Sequence, residues 1–150
     1  MKHIGLLLFS ISLLLLSSCA KDNVSEEELI QGYIENNNLD AKEGPNGLYY
    51  VIEHEGTGIH PAGVYSEVTV NYVGRLANGS EFDRSGSSSF TTTLDRVIKG
   101  WQYGIPLFKV GGKGKLILPS SLGYGAAGSP PSIPGNSVLV FDIELLDVKN

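Results

Sequence analysis

Residues Glu67-Val68-Thr69-Val70-Asn71-Tyr72-Val73-Gly74-Arg75-Leu76 alternate polar and apolar side chains, and Ala77-Asn78-Gly79-Ser80 follows at once. A period of two places successive side chains on opposite faces of a pleated strand, so one face of this segment meets a core and the other meets water. Asn-Gly then supplies the left-handed conformers of a tight hairpin turn, and Glu81-Phe82-Asp83 runs back as the partner strand. A chain built on this feature folds as an antiparallel sheet rather than as a helical bundle. The 19 glycines and 7 prolines among 150 residues point the same way, because they mark frequent turns.

The remaining segments extend that sheet. Leu48 to Ile52 is β-branched and aromatic, and Phe90 to Leu94 carries a threonine alternation. Lys113 to Pro119 and Ser137 to Val148 read as two further strands. The stretch Val97 to Leu107 is too long for a strand. Its spacing at Val97, Trp101 and Ile105 predicts the one helix of the domain. Residues 120–136 form a long loop rich in Gly, Pro and Ser, and such loops usually carry function. The expected fold is α+β: a five- to six-stranded antiparallel sheet with one short helix laid across it, within a domain over 48–150.

Ahead of this domain, Ser25-Glu26-Glu27-Glu28 matches a capping box, and three acids suit the first turn of a helix. Leu29, Ile30, Tyr33 and Ile34 then fall on one helical face. Asn36-Asn37-Asn38 ends the helix, and Glu43-Gly44-Pro45-Asn46-Gly47 is a turn cluster. Residues 25–47 are therefore read as a helical arm and linker, which either packs on the domain or serves as a spacer or dimerisation arm.

Residues 1–18 read as a secretory signal. Lys2 provides the positive start, and Ile4 to Leu16 is an apolar run of thirteen residues, too short to span a bilayer as a helix. Leu16-Ser17-Ser18-Cys19 resembles a bacterial lipobox, in which cleavage leaves the cysteine as a lipidated N-terminus. Cys19 is the only cysteine. Residues 19–24 would then be a lipidated tether. Ala20 takes the place of a retention aspartate, which favours the outer membrane, with the domain on its periplasmic or surface face.

The formal charge of −5, from 11 Lys+Arg against 16 Asp+Glu, argues against nucleic-acid binding. A single cysteine excludes an internal disulfide and a CxxC site. There is no G-x-S-x-G elbow, and His54 and His60 lie in turn-rich sequence without metal-ligand spacing. Gly111-Gly112-Lys113-Gly114-Lys115 lacks the phosphate-loop pattern and leads into a strand. What remains is a set of aromatics on different elements: Tyr72, Phe82, Phe90, Trp101, Tyr124 and Phe141. Each taken singly suits a core. Together with the loop Tyr124 to Pro131, they suggest a concave aromatic pocket with a lid, suited to an apolar, amide-bearing ligand.

Several of these residues carry a resemblance. Val70-Asn71-Tyr72-Val73-Gly74-Arg75-Leu76, Gly79-Ser80-Glu81-Phe82-Asp83-Arg84-Ser85, Val97-Ile98-Lys99-Gly100-Trp101, Leu122-Gly123-Tyr124-Gly125, Ile133-Pro134 and Leu139-Val140-Phe141-Asp142-Ile143-Glu144-Leu145-Leu146 look like the FKBP-type peptidyl-prolyl cis-trans isomerases. The likeness covers about residues 48–148 in the family's order. It implies a sheet wrapped around the short helix, with a proline pocket between them. Trp101 would form the floor. Tyr72, Phe82, Phe90 and Phe141 would form the walls, and Val97, Ile98 and Ile133 would add apolar surface. Asp83 would lie within hydrogen-bond reach of Tyr72 and orient the pocket. Tyr124 would offer its hydroxyl to a substrate carbonyl, and the Ile98 N–H would bond another. By this likeness Tyr72, Phe82, Asp83, Trp101, Tyr124 and Phe141 are the catalytic set.

The implied activity is rotation about X-Pro bonds of exported or unfolded polypeptides, with no cofactor and no metal. The macrolide inhibitors of the family are expected ligands, the lipid anchor ties the chain to a membrane, and nucleic acid is no partner. The alternative is a non-catalytic proline-peptide-binding chaperone or adaptor.

Overall fold

The structure is a computed structural model, and it describes residues 24–150. The signal over 1–18 and the lipidation site Cys19 lie outside the described residues. Helix α1 spans Glu26–Asn36, and strands β1 (Lys42–Glu43) and β2 (Tyr49–His54) follow. The hairpin pair is β3 (Glu67–Leu76) and β4 (Glu81–Arg84), and β5 is Phe90–Thr93. Helix α2 covers Lys99–Gly104, β6 Lys113–Leu118 and β7 Leu139–Lys149.

All pairings are antiparallel, and the sheet runs β1-β2-β6-β7-β3-β4, with β5 also on β3. The sheet has seven strands rather than five or six. The additional one is β1, two exposed charged residues paired with Tyr49 and Tyr50, which have no apolar pattern to announce them.

One sheet face carries the core. Val68 and Val70 of β3, Leu116 and Leu118 of β6, and Leu139, Phe141, Ile143 and Leu145 of β7 are all buried on it. A register shift between Thr69 and Val70 leaves one extra residue in β7. Such a bulge reverses the inward-outward parity, so Leu145 and Val148, three residues apart, both reach the core.

Helix α2 is shorter than the expected 97–107. Ile98 is extended (ψ 153°) and caps the helix, and Ile105–Leu107 tightens into a 3-10 turn that contains Pro106, which has no N–H to donate. Two glycines set its approach to the sheet. A Cβ on Gly100 would lie 2.3 Å from Leu118 Cδ1, and one on Gly104 would lie 2.6 Å from Leu116 Cδ1. Their spacing of four puts both on the face that meets β6.

Helix α1 covers the opposite sheet face. Ser25 and Glu28 form the reciprocal capping box. Ile30 is buried against Ile117, Val138 and Val140, with Tyr33, Ile34 and Leu39 beside it. Leu29, expected on the same face, is 43% exposed. At i−1 to Ile30 it stands about 100° round the helix, whereas Ile30, Tyr33 and Ile34 keep contact with the sheet. This segment packs on the domain through these residues.

Candidate ligand pocket

The hairpin and α2 bring the aromatics together. Tyr72 comes from β3, Phe82 and Asp83 from β4, and Phe90 from β5. Val97 and Ile98 lead into α2, which carries Trp101. Tyr124 lies on the loop after β6, and Phe141 on β7. These nine residues and Arg96 line a cavity of about 330 Å³. Ile133, expected to add apolar surface, does not line it. Its side chain is 4% exposed within the core, where it anchors the loop through the paired backbone bonds between Ser129 and Ile133.

The rings meet edge to face. Trp101 lies 5.0 Å from Tyr72 at 84° and 5.4 Å from Phe141 at 81°, and Phe82 lies 5.6 Å from Phe141 at 85°. Phe90 stands 5.9 Å from Tyr72. Such contacts set the positive ring edge against the negative face and hold each ring in place. Trp101 and Phe141 are each 4% exposed, whereas Phe90 and Tyr124 are about 40% exposed. The cavity thus has a dry base and an open rim. The Trp101 Nε1–H is buried without a hydrogen-bond partner among the described residues.

Polar groups at the rim are few and placed. The Tyr72 hydroxyl donates to Asp83 Oδ2 at 2.7 Å. The second Asp83 oxygen accepts the Arg84 N–H at 2.8 Å. Burial first, and then the Asp83 carboxylate, push the Tyr72 phenol well above its ordinary value. Burial, again with the Asp83 charge, raises that of Tyr124. Both hydroxyls are therefore neutral donors at physiological pH. The Ile98 N–H, at the helix N-cap, has no backbone partner among the described residues.

Two contributors were not singled out from the sequence. Arg96 lines the cavity, and its one signal was its place directly before Val97-Ile98. Gly74 occupies an inward position of β3. A Cβ there would fall 2.7 Å from Phe82 Cζ and 2.9 Å from Phe141 Cε1. Its absence is what admits the two rings, and its signal was a missing side chain in an otherwise regular alternation.

A fixed aromatic cavity with neutral hydroxyl donors and a free backbone N–H at its rim has the shape and polarity to suit a small apolar ring flanked by carbonyl groups. Comparison with known proteins gives a domain of this kind a name. Residues 61–146 match the family described as FKBP-type peptidyl-prolyl cis-trans isomerase, and the chain belongs to this family. It is 44% identical over 131 residues to the FKBP-type peptidyl-prolyl cis-trans isomerase FkpA of Buchnera aphidicola, a match covering 83% of this chain and 52% of that protein. It is 42% identical over 108 residues to FK506-binding protein 1A of Aspergillus fumigatus, covering 69% of this chain and 96% of that one. Among solved structures, a peptidyl-prolyl cis-trans isomerase from Pseudomonas syringae superposes with a TM-score of 0.74 at 32% identity, over 83% of this chain and 94% of that one. The chain spans about half the length of the FkpA relative from Buchnera aphidicola.

Proposed function

We propose that the domain is a peptidyl-prolyl cis-trans isomerase that accelerates rotation about X-Pro bonds. The observation that carries this is the cavity itself: about 330 Å³, floored by Trp101 and walled by Tyr72, Phe82, Phe90 and Phe141. Membership of the family supports the same reading.

The X-Pro amide is planar because resonance couples nitrogen and carbonyl, and the barrier to rotation is about 20 kcal/mol. At the twisted transition state that coupling is lost, and the amide is less polar than in either planar isomer. A dry aromatic cavity favours the less polar species. Only such preferential binding of the transition state accelerates the step, and each ten-fold gain needs about 1.4 kcal/mol of it. No bond to the substrate forms or breaks.

In this mechanism the proline ring sits on Trp101 between Phe82, Phe90 and Phe141. Tyr124 donates its hydroxyl to a substrate carbonyl and the Ile98 N–H binds a second, which together hold the flanking chain while the imide swings. Asp83 accepts from Tyr72 and so fixes that ring as a wall, with no proton transferred. Val97 and Ile98 complete the apolar rim.

The substrates under this proposal are proline-containing segments of exported or unfolded polypeptides, and FK506-type macrolides compete for the cavity. Residues 1–18 act as a lipoprotein signal peptide and Cys19 carries the lipid anchor, which holds the domain to the cell envelope at the outer membrane. The sequence Leu16-Ser17-Ser18-Cys19 supports this part. Among the described residues no helix is long and apolar enough to cross a membrane.

The test is a protease-coupled assay on X-Pro peptides, with and without a macrolide. Turnover that the macrolide blocks is the expected result. Peptide binding without turnover would replace the enzyme by a proline-binding chaperone. Palmitate labelling that survives Cys19→Ala would remove the anchor.

A further inference from the structure

The first turn of α1 is wired to the loop that carries Tyr124. Glu26 Oε2 accepts the backbone N–H of Ser120 at 2.6 Å, and Glu26 Oε1 accepts the Ser120 hydroxyl at 2.7 Å. Ser120 is 6% exposed. Both bonds have an ionised acceptor and are partly shielded from water, which makes them strong for their kind. They span 94 residues of sequence.

The link continues beyond Ser120. Its carbonyl accepts the N–H of Gly123 at 2.9 Å and that of Gly125 at 2.8 Å. These are the residues on either side of Tyr124. The Gly125 carbonyl in turn accepts from Asn136, and the Tyr124 carbonyl accepts from Gly128. The Tyr124 side chain has no hydrogen bond of its own among the described residues and is 40% exposed. Its place over the cavity is therefore set by the backbone on both sides, and that backbone is set by Ser120.

We infer that α1 is a working part of the ligand site, with Glu26 as a positioning residue that fixes the Tyr124 hydroxyl through Ser120. This rests on reading the cavity as the isomerase site. The apolar seat of α1, Ile30 on Ile117, Val138 and Val140, brings the helix to the sheet. None of these four residues lines the cavity. The carboxylate is what couples the helix to the lid.

A merely structural role for Glu26 and a positioning role predict different results. The experiment uses the full-length chain and measures kcat/KM on an X-Pro peptide. In parallel, peptide Kd is read from the fluorescence of Trp101, the only tryptophan of the chain and part of the cavity lining. Glu26→Ala is expected to lower kcat/KM about five-fold, a modest share of what a charged hydrogen bond is worth. Ser120→Ala, which keeps the N–H contact and loses the hydroxyl, is expected to fall between Glu26→Ala and wild type. The decisive measurement is the cycle with Tyr124→Phe. If Glu26 acts through that hydroxyl, adding Glu26→Ala to Tyr124→Phe costs nothing further, whereas independent effects multiply.

Multiplying effects, or a lower melting temperature with unchanged kcat/KM and Kd, would overturn the inference. A wild-type chain that binds peptide without turnover would remove the enzyme reading alone, and the same cycle read in Kd would still decide the role of Glu26.

Discussion

Replacing Gly74 by alanine tests whether an absent side chain shapes the pocket. Gly74 does not have a positive φ, so the substitution adds a methyl group without backbone strain. That methyl carbon would lie 2.7 Å from Cε2 and Cζ of Phe82 and 2.9 Å from Cε1 of Phe141. Carbon atoms rest about 3.5–4.0 Å apart, so the rings must give way by roughly 1 Å. Phe141 cannot retreat, because it is 4% exposed and backed by Trp101 at 5.4 Å. Phe82 is half-buried and swings instead, which breaks its edge-to-face contact with Phe141. Overpacking of this kind costs about 1–3 kcal/mol. For a domain of this size that lowers Tm by about 4–12 °C. The displaced ring narrows the cavity, and the expected loss in kcat/KM is at least about ten-fold, or 1.4 kcal/mol of transition-state binding. Gly32→Ala is the companion measurement. A Cβ there meets nothing within 4 Å, and in a helix it should stabilise by about 0.5–1 kcal/mol with turnover unchanged. A Gly74→Ala protein with wild-type melting and wild-type turnover would refute the steric argument.

Tyr72→Phe removes the hydroxyl that donates to Asp83. It should cost about 0.5–1.5 kcal/mol of stability in denaturant titration and lower turnover several-fold, since both rim residues then lose a fixed partner. The pH dependence follows from the shifted groups. Burial opposes ionisation of Asp142, but the hydrogen bond and charge of Lys115, then those of Arg75, overcome it and hold the carboxyl below its ordinary 3.8. Its folded value lies below the unfolded one, so this contribution is complete above about pH 4 and is lost as the pH falls through the folded value. Unfolding titrations should show that loss in wild type and a flatter acid limb in Asp142→Asn. Tyr72 shifts the other way, so its contribution is complete below about pH 10 and is lost as the pH rises beyond it. Turnover is accordingly expected to be level between pH 6 and pH 9. Arg96 lines the cavity and forms no ion pair among the described residues. Arg96→Glu should shift relative kcat/KM from peptides with Glu beside proline towards those with Lys, by about three-fold at low salt and less at high salt. An unchanged ratio would count against any charge reading at the rim.

The parts legible in the sequence were those where one local rule acts alone. The alternation of 67–76 and the Asn-Gly turn gave β3 and β4 because strand period and turn chemistry are both local. The capping box placed the start of α1 to the residue. Nine of the ten residues expected at the pocket line it, and the family motifs rather than periodicity pointed to them. The misses lie where distant packing decides. Ile133 has the composition of a rim residue, but the bridge with Ser129 turns it inward. The short α2 depends on Ile98 being extended and on Pro106, and β1 exists only because β2 offers it an edge. Leu29 fits the apolar stripe, yet the footprint of α1 on the sheet is too narrow to reach it.

The cavity has its origin in an interrupted sheet edge. Strand β3 pairs with β5 through Glu67 to Val70 and with β4 through Val73 to Arg75, both on the side away from β7. Between these two short partners Tyr72 has no strand on that side, while Ile143 of β7 pairs with it on the other. A backbone left so would hold unpaired polar groups next to an apolar space, which costs free energy. Ser85 removes that cost. Its N–H donates to the Tyr72 carbonyl at 3.0 Å, and its hydroxyl accepts the Tyr72 N–H at 3.0 Å. One residue thus does the hydrogen bonding of a strand without occupying a strand's width. Phe82 before the gap and Phe90 after it can then stand on either side of Tyr72, and Trp101 closes the base because Gly100 and Gly104 let α2 lie close on β6. A continuous fourth strand would satisfy the same backbone groups and fill the space. The break between β4 and β5 therefore shapes the cavity as much as the rings do.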